Sequence, residues 1–159
     1  MTRREIRDSA FKLVFEQLLR DDDINELYEI AEEIEEITVN DEVKKIVEGT
    51  LTHAEELDSI IAKYSKSRSI SRISKLNLAI LRIAMYESLY DDNTPMNAAI
   101  SEAIKLSMMY TYQEDTAFIN GVLGAFSRDS RKEENADASV PRYRYQQLYY
   151  LGGSVRQRG

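Results

Sequence analysis

The chain has 159 residues, 43% hydrophobic and 31% charged, with a net charge of −7, one histidine and no cysteine. That length suits one domain able to bury a real core, while the missing cysteines exclude disulfides, thiolate catalysis and a cysteine-ligated zinc. No apolar run approaches the roughly 20 residues that span a bilayer. The start, Met1-Thr2-Arg3-Arg4-Glu5, is charged and opens no apolar stretch, so a secretory signal is not expected and a cytoplasmic protein is the simplest reading.

The first helix is expected from about Arg3 to Arg20, where Ile6, Ala10, Leu13, Val14 and Leu18 recur at spacings of three and four. Phe11 and Phe15 widen its stripe. Asp21-Asp22-Asp23 ends it, and Asp23 with Glu26 forms a variant capping box opening a second, acidic helix that carries Glu32-Glu33 and Glu35-Glu36. The aspartate run lacks the alternating ligands and terminal glutamate of a calcium loop. A third helix is expected over Asp41 to Tyr64, because Val43, Ile46, Val47, Leu51, Ala54, Leu57 and Ile61 make an unbroken apolar face.

The serine-rich, basic stretch Ser65 to Ser74 reads as a connection or a short turn of helix. From Lys75 to about Tyr90 the pattern predicts a largely buried helix. After Asp91-Asp92-Asn93, Thr94 is placed as N-cap with Pro95 in the first helical position. That helix runs to about Tyr110 through Ala99, Ile100, Ala103, Ile104 and Met108. Thr111 and Glu114 suggest a capping box for a last core helix carrying Phe118, Ile119, Val122, Leu123 and Phe126. Gly121 within it costs about 1 kcal/mol against alanine, a cost assigned to close approach of a neighbouring helix. No alternating strand pattern occurs, so the fold class is all-α, a bundle of six to seven helices.

Residues 1–130 form the expected domain, and 131–159 a basic, tyrosine-rich tail with Arg142, Arg144, Arg156 and Arg158 among Tyr143, Tyr145, Tyr149 and Tyr150. Interleaved basic and aromatic side chains suit single-stranded RNA, although terminal segments of this kind are usually poorly ordered. Packing through Leu148, Tyr149 and Leu151 is the third option.

Charge is unevenly spread. Residues 21–58 hold fifteen acids against two bases, whereas 59–86 hold six bases (Lys63, Lys66, Arg68, Arg72, Lys75, Arg82) and no acid. Arg3, Arg4 and Arg7 form a second basic cluster. An acidic chain can still present a basic surface to phosphate, or the two regions can pair with each other. Catalytic parts are missing: His53 has no second histidine or cysteine near it in sequence, no glycine-rich phosphate loop occurs, and no cofactor is implied.

Five ordered elements go further. They are the N-terminal arginines, Arg72-Ile73, the Ile80-to-Glu87 block, the Pro95-to-Leu106 block and Phe118-Ile119-Asn120-Gly121-Val122-Leu123. Together they resemble the signature of the NusB transcription-antitermination family, over roughly residues 3 to 127. The resemblance implies two helical sub-bundles and no enzymatic activity. It implies binding to boxA-type nascent RNA with a small-subunit ribosomal protein (NusE), in assemblies with other Nus factors and RNA polymerase. It places Arg3, Arg4, Arg7, Lys66, Arg68, Arg72, Phe118 and Asn120 at the RNA surface, with Phe118 equally readable as core. Phe15, Lys75, Asn77 and Glu114 fall at the protein-partner surface, and some family members form homodimers. The chain departs from common family residues at Asn77, Leu78, Ser101 and Ala117. A helical interaction module with weak or no RNA binding is the alternative reading. A domain like those preceding some ribosomal RNA methyltransferases is a third.

Overall fold

The computed structural model describes residues 1–66 and 69–136. Its helices are α1 (Arg3–Arg20), α2 (Ile24–Ala31), α3 (Asp41–Thr52), α4 (Ala54–Tyr64), α5 (Lys75–Tyr90), α6 (Met96–Tyr110) and α7 (Gln113–Ala136), with a 3-10 turn at Ile70–Arg72. No strand occurs among the described residues. By contact the helices sort into two groups: α1 packs on α2 and α3, while α4, α6 and α7 pack around α5, which also meets α1 and α3. α7 runs past the boundary expected at residue 130, and the tail's arginines and tyrosines lie outside the described residues.

Local chemistry explains the helix ends. Thr2 and Glu5 close a full capping box on α1: the Thr2 hydroxyl accepts from the Glu5 N–H at 3.1 Å, and the Thr2 N–H donates to the Glu5 carboxylate at 2.9 Å. Asp21 ends α1 in the left-handed region (φ 53°), a conformation that aspartate tolerates better than most side chains. Asn40 and Ser74 cap α3 and α5 by accepting from the N–H groups three residues on. Asp23 does precede α2, but its side chain makes no cap bond.

Several sequence expectations shift. Glu32-Glu33 and Glu35-Glu36 lie in turns after α2, not in a helix. The third helix is two: His53 interrupts it, and the ring stacks on Tyr90 with centroids 4.1 Å apart. Leu57, Ile60 and Ile61 stay buried because the apolar spacing resumes immediately after the break. The N-cap of α6 is Pro95, one residue later than expected, since the Thr94 hydroxyl donates to Asp91 at 2.7 Å instead. The Thr111–Glu114 box does not form: Thr111 bonds back to the Ser107 carbonyl at 2.7 Å. Asp115 instead accepts from the Tyr112 N–H at 3.2 Å. Met108, expected on the inner face of α6, is 69% exposed, because Leu106 and Ser107 take the inward positions.

The close helix approach assigned to Gly121 occurs at a different glycine. A Cβ on Gly121 would meet nothing within 4 Å, whereas one on Gly49 of α3 would overlap the Tyr86 ring of α5. Tyr86 is buried beside the stacked His53 and Tyr90 rings, with centroids 6.3 and 5.7 Å away, so it has little freedom to retreat. Gly49→Ala is therefore expected to destabilise the fold by about 1–3 kcal/mol in urea denaturation, outweighing a helix-propensity gain of about 1 kcal/mol. A neutral or stabilising result would show that the ring moves aside freely.

Candidate nucleic-acid interface

α1 and α5 run antiparallel, so arginines four apart on one helix meet acids four apart on the other. Arg3 donates to Asp91 at 2.9 Å and to the Thr94 hydroxyl at 2.6 Å. Arg7 donates from Nε to both carboxylate oxygens of Glu87 at 2.8 and 2.9 Å. Arg4 turns to α6 and meets Glu102 at 3.2 Å, with Lys105 3.4 Å from the same carboxylate. The three arginines expected to act together thus have different environments. Arg3 and Arg4 keep side-chain exposures of 51% and 61%, while Arg7 keeps 8%. Arg7 cannot present its charge to a phosphate as Arg3 and Arg4 can, because the carboxylate inside α5 needs it.

The carboxyl groups respond to these contacts. Burial pushes Glu87 above its ordinary value, and the hydrogen bond and charge of Arg7 offset part of that rise. Burial acts the same way on Asp91, but the Thr94 hydroxyl, the Asn93 N–H and Arg3 together hold it below the usual range. Glu102 is held low chiefly by its hydrogen bond with Arg4. Arg82, from the basic stretch, is spent on Asp58 at 2.6 Å, so one of the six bases does pair with the acidic segment.

A second basic surface lies where the end of α4 meets α7. Tyr64, Lys66, Phe118, Gly121, Ala125 and Arg128 border an open groove of about 350 Å³. Lys66 and Arg128 are exposed and Phe118 is half-buried, packed against the edge of the core. Asn120 is exposed but does not line the groove. Arg72 is exposed on the 3-10 turn, and Arg68 lies outside the described residues.

The residues expected at the partner surface also separate. Lys75 and Glu114 are exposed, at the first turns of α5 and α7. Phe15 is half-buried and stacks on Phe11 at 6.2 Å. Asn77 is 1% exposed and donates to Asp115 at 2.9 Å, tying α5 to α7 beneath the surface rather than facing a partner. Sequence reasoning missed Arg128, whose charge sits beyond the motif, and the exposed apolar patch of Met108, Met109 and Tyr112. The consecutive methionines at the end of α6 break its inward spacing, which was the available signal.

Exposed cations at helix ends beside an aromatic-lined groove are features that nucleic-acid-binding proteins share. Comparison with known proteins is more specific. The description "NusB family" matches residues 4–128. The transcription antitermination protein NusB of Ruminiclostridium cellulolyticum is 36% identical over 142 residues, covering 88% of this chain and 98% of that one. The NusB of Acetivibrio thermocellus is 39% identical over 126 residues, covering 78% and 87%. Among solved structures, a chain from the complex of antitermination factors NusB and NusE with dsRNA superposes with a TM-score of 0.71 at 28% identity, covering 80% of this chain and 96% of that one. The chain belongs to the NusB family.

Arg7→Ala is expected to act on the fold first. Leaving Glu87 buried without its cation costs about 3–5 kcal/mol at neutral pH. The folded-state pKa of Glu87, already raised, rises further in the variant. Its penalty is therefore full above that pKa and shrinks as pH falls through it and the folded state takes up the proton. Denaturation of both proteins across pH checks this: a deficit that stays constant or widens on acidification would contradict it. The double change R7M/E87L should recover most of the loss.

Proposed function

We propose that this chain is a non-enzymatic RNA-binding transcription antitermination factor. It binds boxA-type nascent RNA together with a small-subunit ribosomal protein, NusE, and joins other Nus factors on RNA polymerase to suppress premature termination in ribosomal RNA operons. Family membership over residues 4–128 is the observation that carries the reading. The surface chemistry supports it. Arg3 and Arg4 stand half-exposed on pairs with carboxylates. Exposed pairs of this kind contribute little stability, so incoming phosphates can displace them at small cost. Arginine then offers phosphate two parallel hydrogen bonds. No helix is long and apolar enough to cross a membrane among the described residues, which accords with a factor acting on nascent RNA in the cytoplasm.

The exposed apolar patch of Met108, Met109 and Tyr112 supports the protein-partner half of the reading. It also favours the second reading, a protein-docking module that binds RNA weakly or not at all, because Arg3 and Arg4 are already neutralised by Asp91 and Glu102.

Fluorescence anisotropy with a boxA RNA and a scrambled control, with and without the ribosomal protein, separates the two. Selective binding that the partner strengthens is expected. Arg3→Ala with Arg4→Ala should lower the slope of log affinity against log salt by roughly 1.4, at about 0.7 per phosphate contact on single strands. An unchanged slope would remove these arginines from the RNA surface, and equal weak binding to both RNAs would favour the docking module.

A further inference from the structure

Among the described residues, the three most exposed large apolar side chains lie within five positions of one another: Met108 at 69%, Met109 at 64% and Tyr112 at 79%. Met108 and Met109 fall in the last turn of α6, and Tyr112 lies in the connection to α7. The Tyr112 N–H donates to Asp115 at 3.2 Å, and Asp115 accepts from the Asn77 amide at 2.9 Å. The patch thereby adjoins Asn77 and Glu114, two of the positions expected at the protein-partner surface. Segment 108–112 carries no charge, so it offers apolar contact of the kind protein interfaces use, where methionine and tyrosine are enriched, and nothing for a phosphate. The chain has five methionines and no cysteine, so thioethers are its only sulfur. Met85 is 0% exposed inside α5, and Met96 is half-buried against the core. Met1 is exposed, and its sulfur accepts from the Asn40 amide at 3.3 Å. A dissolved oxidant therefore reaches the pair on α6 far more readily than the sulfur inside α5.

We propose that Met108 and Met109 are a reversible oxidation site that controls docking of the ribosomal protein on this patch. The inference rests on the partner half of the reading above and adds its regulation. The oxidant is hydrogen peroxide. A thioether lone pair attacks one peroxide oxygen, the S–O bond forms as the O–O bond breaks, and the second oxygen leaves as water. Sulfur loses two electrons and the peroxide gains them. A thiol-dependent sulfoxide reductase reverses the step: two thiols become a disulfide and the sulfoxide oxygen leaves as water. The free chain tolerates the change, because a sulfoxide at either exposed position stays in water. A partner covering the patch must instead strip water from two strongly polar S=O groups, where it would otherwise meet two flexible apolar side chains. Oxidation thus acts on the interface and spares the fold.

The test treats the full chain alone with hydrogen peroxide, removes the oxidant, and titrates the ribosomal protein calorimetrically against treated and untreated samples. Peptide mass spectrometry locates the added oxygens: Met108 and Met109 should be oxidised before Met85. Affinity should fall about tenfold or more with the melting temperature unchanged, and sulfoxide reductases for both epimers should restore it. The variant M108L/M109L keeps apolar side chains and offers no sulfur there, so its own affinity should be the same before and after peroxide. Undiminished affinity in the oxidised wild-type chain would overturn the switch while leaving the partner reading intact. An equal loss in treated M108L/M109L, or a loss accompanied by a lower melting temperature, would overturn it by placing the damage elsewhere. Absence of binding by the untreated chain would remove the partner reading and the switch with it.

Discussion

A helix buried on nearly every side imposes the rest of this structure. Twelve of the sixteen residues of α5 are buried, so the chain must wrap it, and α1, α3, α4, α6 and α7 all do. One of the twelve is Glu87, and a carboxylate inside that wrapping needs a cation at hydrogen-bond distance. Arg7 supplies it, which fixes the register of α1 against α5. Once Arg7 and Glu87 are paired, the same antiparallel spacing brings Arg3 to Asp91 at the end of α5. The helix's rotation leaves Arg4 to meet α6. The exposed arginines are therefore positioned by a buried one.

This arrangement reconciles an acidic chain with the proposed RNA partner. The acids are concentrated in residues 21–58, which form α2, α3 and the start of α4. Exposed cations outside that segment include Arg3 and Arg4 at the start of α1, Lys66 just after α4, Arg72 on the 3-10 turn, Lys75 at the start of α5 and Arg128 on α7. Phosphates respond to the local field more than to the net charge, and salt screens the distant acids over about 8–10 Å. The surface arginines are kept in place by weak pairs they can leave.

Much of this was legible in the sequence, for identifiable reasons. The extent of α1 was legible from its apolar stripe and the aspartate run that ends it, although its Thr2–Glu5 capping box went unread. The burial of α5 was legible from its near-continuous apolar character, and the family from five blocks in order. The rest depended on neighbours that a one-dimensional pattern does not contain. Arg3, Arg4 and Arg7 are the same residue type within one turn and a half, and only the distant Glu87 distinguishes the buried one. Gly49 and Gly121 give the same signal in a helical pattern, yet one sits under the Tyr86 ring and the other faces open space. The break at His53 was hidden because the apolar spacing carries through it. Asn77 looked like a surface position by family correspondence, but its side chain is committed to Asp115.

The central claim is that RNA meets the N-terminal arginines of α1 and the α4–α7 groove, while the acidic segment stays clear. Photo-crosslinking of 4-thiouridine-substituted boxA RNA to the complex with the ribosomal protein, followed by peptide mapping, tests it most directly. The account predicts crosslinked peptides from the start of α1 and from α7 around Phe118, with none from α2 or α3. Crosslinks confined to α2 and α3, or found only on the ribosomal protein, would contradict it.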